Sequence, residues 1–129
     1  MLPPDDQAFL EDRFPDFTIS NEGGMIVIVI PGLPLPAGFT AGRADLMLRL
    51  SPGYPDVPPD MWWFEPFVLR TDGQVIAATE AREPHLGRVW QRWSRHFTAG
   101  QWRAGVDSLE SYVSLVRSEL RAAARDIAA

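Results

Sequence analysis

Residues 51–60 carry four prolines in ten positions, in the order Ser-Pro-Gly-Tyr-Pro-Asp-Val-Pro-Pro-Asp. Proline fixes its own φ, restricts the residue before it and has no backbone N–H to donate. Neither a helix nor a central strand can therefore run through this segment. The chain must follow an extended, turning path here, so the regular elements on either side are separate.

Both flanks of this proline-rich segment have strand patterns. In Arg43–Leu50 apolar side chains at the even positions alternate with mostly charged ones, which predicts a strand with one buried face. Met61–Phe64 predicts a shorter strand. Its adjacent residues Trp62 and Trp63 must point to opposite faces of a sheet, and we expect the outward ring to be covered.

The N-terminal part predicts a helix and two further strands. Leu2–Phe14 has an apolar stripe at helical spacing, with Asp5 or Asp6 as its cap and a proline directly after it. Phe17–Ser20 and Met25–Ile30 are separated by Asn-Glu-Gly-Gly, which is typical of a turn. These two segments therefore predict a pair of strands.

Several other segments have weaker patterns. Pro31–Gly38 holds three prolines and two glycines, which indicates a connector. Thr71–Gln74 predicts a turn, Val75–Ala78 a short strand, and Pro84–Gly100 a loop with one helical turn around its two tryptophans.

The C-terminal end predicts a long helix. Apolar residues follow helical spacing over Ser108–Ile127, and Asp107 with Glu110 forms a capping-box pattern at its start. The predicted fold class is α+β, with an N-terminal helix, a four-stranded antiparallel meander and a long C-terminal helix. At this length we expect one domain, residues 1–129.

The absence of cysteine from the chain excludes several kinds of chemistry. Without a thiol there is no disulfide, thiolate metal site or thioester. No glycine-rich phosphate loop or nucleophile elbow is present, so we expect no cofactor. No apolar run reaches the roughly 20 residues of a membrane span, and the first residues are acidic, so we expect a cytoplasmic protein.

The order of elements and two local motifs give the chain a family resemblance. Tyr54 and Pro55, followed by Pro58 and Pro59, match the Tyr-Pro-x-x-Pro-Pro element that follows the third strand of ubiquitin-conjugating enzymes. Trp102 lies in a segment similar to that family's Trp-x-Pro, with alanine in place of the proline. The chain thus resembles a ubiquitin-conjugating-enzyme-like (UBC/RWD-like) fold, in particular the prokaryotic UBC-like family E.

The resemblance implies a binding function without the cysteine chemistry of ubiquitin-conjugating enzymes. The catalytic cysteine would fall several residues before Trp102, in Val89–His96, where no cysteine occurs. The implied protein is a variant that binds but does not conjugate, in a bacterial pathway, with a ubiquitin-like protein and/or its activating enzyme as partner. As an alternative, Ser94 with His96 would be a non-cysteine nucleophile and base, although an orienting acid and an oxyanion hole are not visible in the sequence.

Arginine and tryptophan are concentrated near the position of the missing cysteine. Both residue types are enriched at binding hot spots, which predicts a partner-binding surface. The same composition is also found in proteins that bind single-stranded nucleic acid, but a net charge of −5 disfavours a polyanion. The residues concerned are Arg88, Trp90, Arg92, Trp93, Arg95 and Trp102. By position in the family, Leu2–Phe14 is a second surface where the activating enzyme would bind.

A metal site is a further hypothesis that the sequence supports only weakly. His85 and His96 are compatible with zinc or iron, together with Glu80 or Glu83. The spacing of the two histidines matches no ligand signature, so we expect no metal.

Overall fold

The computed structural model describes residues 2–125 and residue 127. Within this part of the chain, two helices flank six strands that form one antiparallel sheet in the order β1-β2-β3-β4-β6-β5. The elements are α1 (Pro4–Arg13), β1 (Thr18–Glu22), β2 (Met25–Pro34), β3 (Arg43–Leu50), β4 (Trp62–Glu65), β5 (Arg82–His85), β6 (Arg88–Trp93) and α2 (Leu109–Ala123). The α+β class and the β1–β4 meander are confirmed, but the predicted count of four strands is wrong.

The two additional strands form a hairpin where the sequence predicted a loop over Pro84–Gly100. β5 pairs with β6, and β6 pairs with β4 through Trp62 opposite Trp93. The turn between β5 and β6 holds Leu86 and Gly87, with φ of 53° and 73°. A two-residue type I′ hairpin turn has positive φ at both central positions, which leucine rarely adopts, so the sequence of this turn did not indicate a hairpin. The short strand predicted at Val75–Ala78 is absent from the described sheet.

Strand β2 is longer than predicted. It continues to Pro34, inside the segment that we interpreted as a connector, by way of an irregularity between Ile30 and Leu33. At this irregularity the Gly32 N–H donates to Asp45 Oδ1 at 2.8 Å, and Gly32 has a φ of 63°. A side-chain carboxylate thus replaces a ladder acceptor, which lets a proline-containing stretch remain in the sheet.

Both helices are where the sequence predicted them, but their ends differ. Helix α1 follows Pro3, without a capping hydrogen bond from an aspartate side chain. Helix α2 follows Ser108, whose N–H donates to Ser111 Oγ at 2.9 Å, so the predicted capping box of Asp107 and Glu110 is wrong. It also ends at Ala123 rather than at residue 127. Neither of these helices combines the length and the apolar composition needed to cross a bilayer.

Alternate residues of the strands enter two hydrophobic clusters on opposite faces of the sheet. The larger one joins the helices to one face, and it includes Leu10 of α1, Trp62 of β4 and Val116 of α2. The smaller one, on the other face, consists of Val27, Val29, Met47, Trp63 and Trp90. Trp62 and Trp63 therefore point to opposite faces and both are buried, as predicted.

A buried carboxylate connects three distant parts of the chain. Asp6 of α1 is 3% exposed. Its Oδ2 accepts the Tyr54 hydroxyl hydrogen at 2.6 Å and its Oδ1 accepts the Leu109 N–H at 3.0 Å. Burial and the bond to Asp6 raise the pKa of Tyr54 well above its ordinary value. The Trp102 indole N–H donates to the Pro55 carbonyl at 2.8 Å beside this junction. The two motifs that carry the family resemblance thus meet in space.

Replacing Asp6 with alanine should lower the free energy of unfolding by about 3 kcal/mol, because the partly buried Tyr54 hydroxyl and the buried Leu109 N–H both lose their acceptor. Urea denaturation of wild type and variant measures the difference. Asp5→Ala is the matched control, since Asp5 is exposed in the same first turn of α1 and its replacement should change stability little. Equal stability of the two variants would contradict a role for the Asp6 junction.

Candidate functional site

The proposed nucleophile, Ser94, is the first residue after β6. Its N–H donates to the Ala78 carbonyl at 2.9 Å, which ties the end of β6 to the irregular segment before β5. Its hydroxyl oxygen accepts from Arg92 Nε at 3.1 Å. A guanidinium donor cannot act as a base toward this hydroxyl, so the contact does not activate Ser94.

His96 is paired with an acid that we did not single out from the sequence. Its Nδ1 lies 2.6 Å from Asp60 Oδ1, and both side chains are more than half exposed. Asp60 lies two residues before β4, and no local pattern marks it as the partner of a residue 36 positions later. In the described structure the His96 ring makes no hydrogen bond with Ser94. The histidine and its acid are brought together, but the serine is not part of the arrangement.

The three candidate arginines all have carboxylate partners. Arg88 binds Asp45 at 2.8 Å and also contacts Glu65. Arg92 binds Glu83 at 2.7 Å and Arg95 binds Glu119 at 2.7 Å. These acids come from β3, β4, β5 and α2, so the arginines do not form a basic patch of the kind that a nucleic acid requires. Their charge is already balanced within the protein.

The candidate tryptophans lie mostly in the interior. Trp90 and Trp93 are both fully buried, on opposite faces of the sheet and in different clusters. Trp102 is only partly buried and packs against Tyr54, with ring centres 6.0 Å apart. A partner that docks on residues 88–102 would therefore contact the arginines and the edge of Trp102. Arg88 lies over the Trp90 ring on one face of the sheet, 4.4 Å from its centre, and Arg95 lies over the Trp93 ring on the other face, 5.0 Å from its centre.

The second histidine, His85, belongs to a separate network of charged side chains. Its ring lies 2.9 Å from Glu22 Oε1 and 3.3 Å from Glu83 Oε1. Glu22 also accepts from Arg49 at 2.6 Å and from the Leu86 N–H at 3.0 Å. Glu22 belongs to the edge strand β1, and Leu86 belongs to the turn after β5, the other edge strand. The contacts of Glu22 with Arg49, His85 and Leu86, called the Glu22 clasp below, therefore join the two edges of a curled sheet.

The surroundings of the two histidines do not match the geometry of a metal site. His85 and His96 have different carboxylate partners, and Glu80 is an exposed residue without a contact to either histidine. Across residues 2–125 and 127, no group of three or more histidine or acidic side chains is placed to hold a metal ion.

The second surface, on α1, borders a wide groove of about 570 Å³ between this helix and the start of α2. The charged residues of its lining are acidic except for Arg13, and they include Asp5, Asp12, Asp107 and Glu110. Arg13 lies 3.4 Å from Asp12 and 3.5 Å from Glu110. This groove is open and negatively charged, whereas the charges on residues 88–102 are paired.

Comparison with known proteins gives one family match. A family model described as prokaryotic E2 family E matches residues 2–123, a range that includes α1, all the described strands and α2. No curated protein matches the chain. No solved structure matches it either.

The clasp at Glu22 should make stability depend on pH. The Leu86 N–H, His85 and Arg49 lower the pKa of Glu22 from its ordinary value of 4.5 to about 2. A lowered pKa stabilises the folded state above pH 4.5, and this contribution is lost as the pH falls toward about 2. The difference in unfolding free energy between wild type and Glu22→Gln should therefore shrink below pH 4.5, as measured by urea denaturation.

Glu11→Gln is the control for this titration, because Glu11 is exposed on α1. It should leave the unfolding free energy at pH 7 nearly unchanged. A wild-type advantage over Glu22→Gln that stays constant from pH 7 to pH 2 would contradict the role of the carboxylate.

Proposed function

Because the chain belongs to prokaryotic E2 family E, we propose that it is a non-catalytic binding module in a pathway of ubiquitin-like protein conjugation. The family supports a UBC-like fold and a role in such a pathway. The described sheet has six strands, compared with the four of the predicted meander. The cytoplasmic location remains a prediction. The partner we propose is a ubiquitin-like protein, its activating enzyme, or both.

The non-catalytic role is supported above all by the chemistry at Ser94. The chain has no cysteine, so a thioester cannot form. The hydroxyl that would replace the thiol accepts a hydrogen bond from Arg92, and Arg92 is itself held by Glu83. An arginine stays protonated and cannot remove the serine proton. The observed hydrogen bonds therefore favour a binding role over a transferase.

The contact between His96 and Asp60 supports an alternative function, that of a transferase. The pair of His96 and Asp60 has the arrangement of a base and its orienting acid. A rotation of the Ser94 side chain away from Arg92 would be needed before the histidine could act on it. This alternative is a transferase for ubiquitin-like proteins that forms an oxyester instead of a thioester.

For the partner-binding site we retain residues 88–102 as the first proposal. The side chain of Arg92 is 32% exposed and that of Arg95 is 22% exposed, so a carboxylate of a partner can approach them while their own acids stay in place. Arginine suits this task because its planar group pairs with two acceptors at once. The α1 surface is the alternative, and its acidic groove would favour a partner with basic side chains.

The catalytic alternative is tested by adduct formation. We expect the wild-type protein, incubated with the activating enzyme and ubiquitin-like protein of its own host and ATP, to form no hydroxide-labile adduct. The measurement is intact-mass spectrometry before and after mild base, with Ser94→Ala as the control variant. An adduct that wild type forms and Ser94→Ala does not form would show that the protein is a transferase.

The docking site is tested by the double variant of Arg92→Ala and Arg95→Ala. If both side chains are buried by the partner, affinity should fall by on the order of 2 kcal/mol, because two charge-assisted contacts are lost. Isothermal titration calorimetry measures the change, and circular dichroism verifies the fold, since Arg95 also binds Glu119 of α2.

The double variant of Arg43→Ala and Arg121→Ala is the control matched in net charge, because both side chains are exposed, Arg43 at the start of β3 and Arg121 in the last turn of α2. It should bind the partner as wild type does. If the double variant of Arg92 and Arg95 also binds as tightly as wild type with its fold intact, residues 88–102 are not the site and α1 becomes the leading surface.

A further inference from the structure

The two edges of the sheet differ in their protection against pairing with a further strand. β1 and β5 are the end strands of the described sheet, so each has one side without a neighbouring strand. Such a side presents backbone N–H and C=O groups to which another chain can bind. Edge strands normally prevent this with proline, with charged side chains or with irregularities in the strand.

The β5 edge is closed. The two-residue turn after β5 joins His85 and Arg88, and the closing pair of such a turn is hydrogen-bonded. Bonded and unbonded pairs alternate, so the backbone groups of Arg82 and Pro84 point outward. Pro84 has no N–H to donate. The Arg82 guanidinium donates to the Thr79 carbonyl at 2.7 Å, which places a charged group beside the start of the strand.

The β1 edge is open. The two glycines between β1 and β2 have φ of 59° and 80°, which is typical of a type I′ turn with a hydrogen-bonded closing pair. Because bonded and unbonded pairs alternate, Thr18, Ser20 and Glu22 are bonded to β2. The N–H and C=O groups of Ile19 and Asn21 therefore point away from the sheet.

Strand β1 lacks the usual protections of an edge strand. Its first four residues are all exposed, and Ile19 is 45% exposed. The strand contains no proline, and its five pairs with β2 run without a shift in register. Its one charged side chain, Glu22, is held in the Glu22 clasp. Since the clasp also fixes the end of β1, an incoming segment meets a strand that is already extended.

Charge selects the kind of segment that suits this edge. Residues 4–22 carry six acidic side chains and one arginine, Arg13. Asp16 is exposed and lies two residues before β1. A basic segment is therefore favoured over an acidic one. A second copy of the chain would bring the same acidic charge, and five residues a side are few compared with the roughly 20–30 of a stable interface.

We propose that β1 binds an extended basic segment of a partner protein, which adds to the sheet as a further strand beside Ile19 and Asn21. The outward N–H and C=O groups of these two residues form the hydrogen bonds, and the exposed Ile19 side chain packs against one apolar residue of the segment. This surface does not depend on the proposed function, and it holds whether Ser94 is catalytic or inert.

Nuclear magnetic resonance of the full chain labelled with ¹⁵N tests the edge residue by residue. The probe is the blocked peptide acetyl-Arg-Thr-Val-Thr-Arg amide, which is basic and rich in residues that favour strands. We expect saturable downfield shifts and slower hydrogen exchange for the amide protons of Ile19 and Asn21. The Ser20 amide is the internal control, because it is already bonded to β2 and its exchange should change little. Absence of a saturable change at Ile19 and Asn21 overturns the proposal.

Two further peptides separate strand pairing from charge attraction. The same peptide N-methylated at its three central residues keeps every charge and side chain but loses the donors, and it should bind roughly tenfold more weakly. Equal binding of the methylated peptide would show that charge alone attracts the probe, and strand addition would be wrong. Acetyl-Glu-Thr-Val-Thr-Glu amide should also bind more weakly than the arginine peptide, and equal affinity contradicts a site for basic segments.

A pair of protein variants tests the same hydrogen bonds from the other side. Ile19→Pro removes one outward N–H and no bond to β2, which an edge strand tolerates, and it should weaken binding of the arginine peptide roughly tenfold. Ile19→Thr is the matched control, because it keeps the N–H and should bind more tightly than Ile19→Pro. Equal binding by the two folded variants overturns the proposal, and the methylated peptide keeps the test decisive if Ile19→Pro does not fold.

Self-association is the remaining outcome. If the Ile19 and Asn21 signals of the protein alone shift with protein concentration, the edge pairs two copies of the chain rather than a partner's segment, and the proposal is wrong.

Discussion

The carboxylate of Asp6 is the interaction on which the relative positions of the main elements depend. It accepts from Tyr54 in the proline-rich segment and from the backbone of Leu109 at the start of α2. Residues 94–108 have no regular structure of their own except at isolated bridges and turns, and they run between β6 and α2. Fixing the start of α2 therefore also fixes the far end of the segment that carries Ser94, His96 and Trp102.

The elements with clear periodicity could be predicted from the sequence. Strand β3 has the predicted bounds, because its apolar residues occupy every even position and its odd positions, apart from Met47, are charged. The β5–β6 hairpin could not be predicted in the same way. Its turn contains Leu86 in a conformation unusual for leucine, and Pro84 lies in β5, which is an edge strand and tolerates proline.

The candidate site shows a different limit of sequence interpretation. Counting charges between residues 82 and 103 indicates a basic segment, yet Arg88 and Arg95 are paired with acids from β3, β4 and α2. The pair of Asp60 and His96 also escapes local patterns, because the two residues are 36 positions apart in the chain. Local patterns report which residue types are near in the chain, whereas these pairs depend on strand order, which places distant segments side by side.

The contact between Asp6 and Leu109 spans 103 positions, and this has a consequence for the protein as it is made on the ribosome. Helix α1 is synthesised before the strands, whereas the backbone group that its buried aspartate must bind is synthesised 103 positions later. Until then α1 cannot complete its packing, because Leu10 and the apolar face of α2 share one cluster. The nascent domain thus exposes an unfinished core until α2 has been synthesised, and the native fold closes only when α2 leaves the exit tunnel.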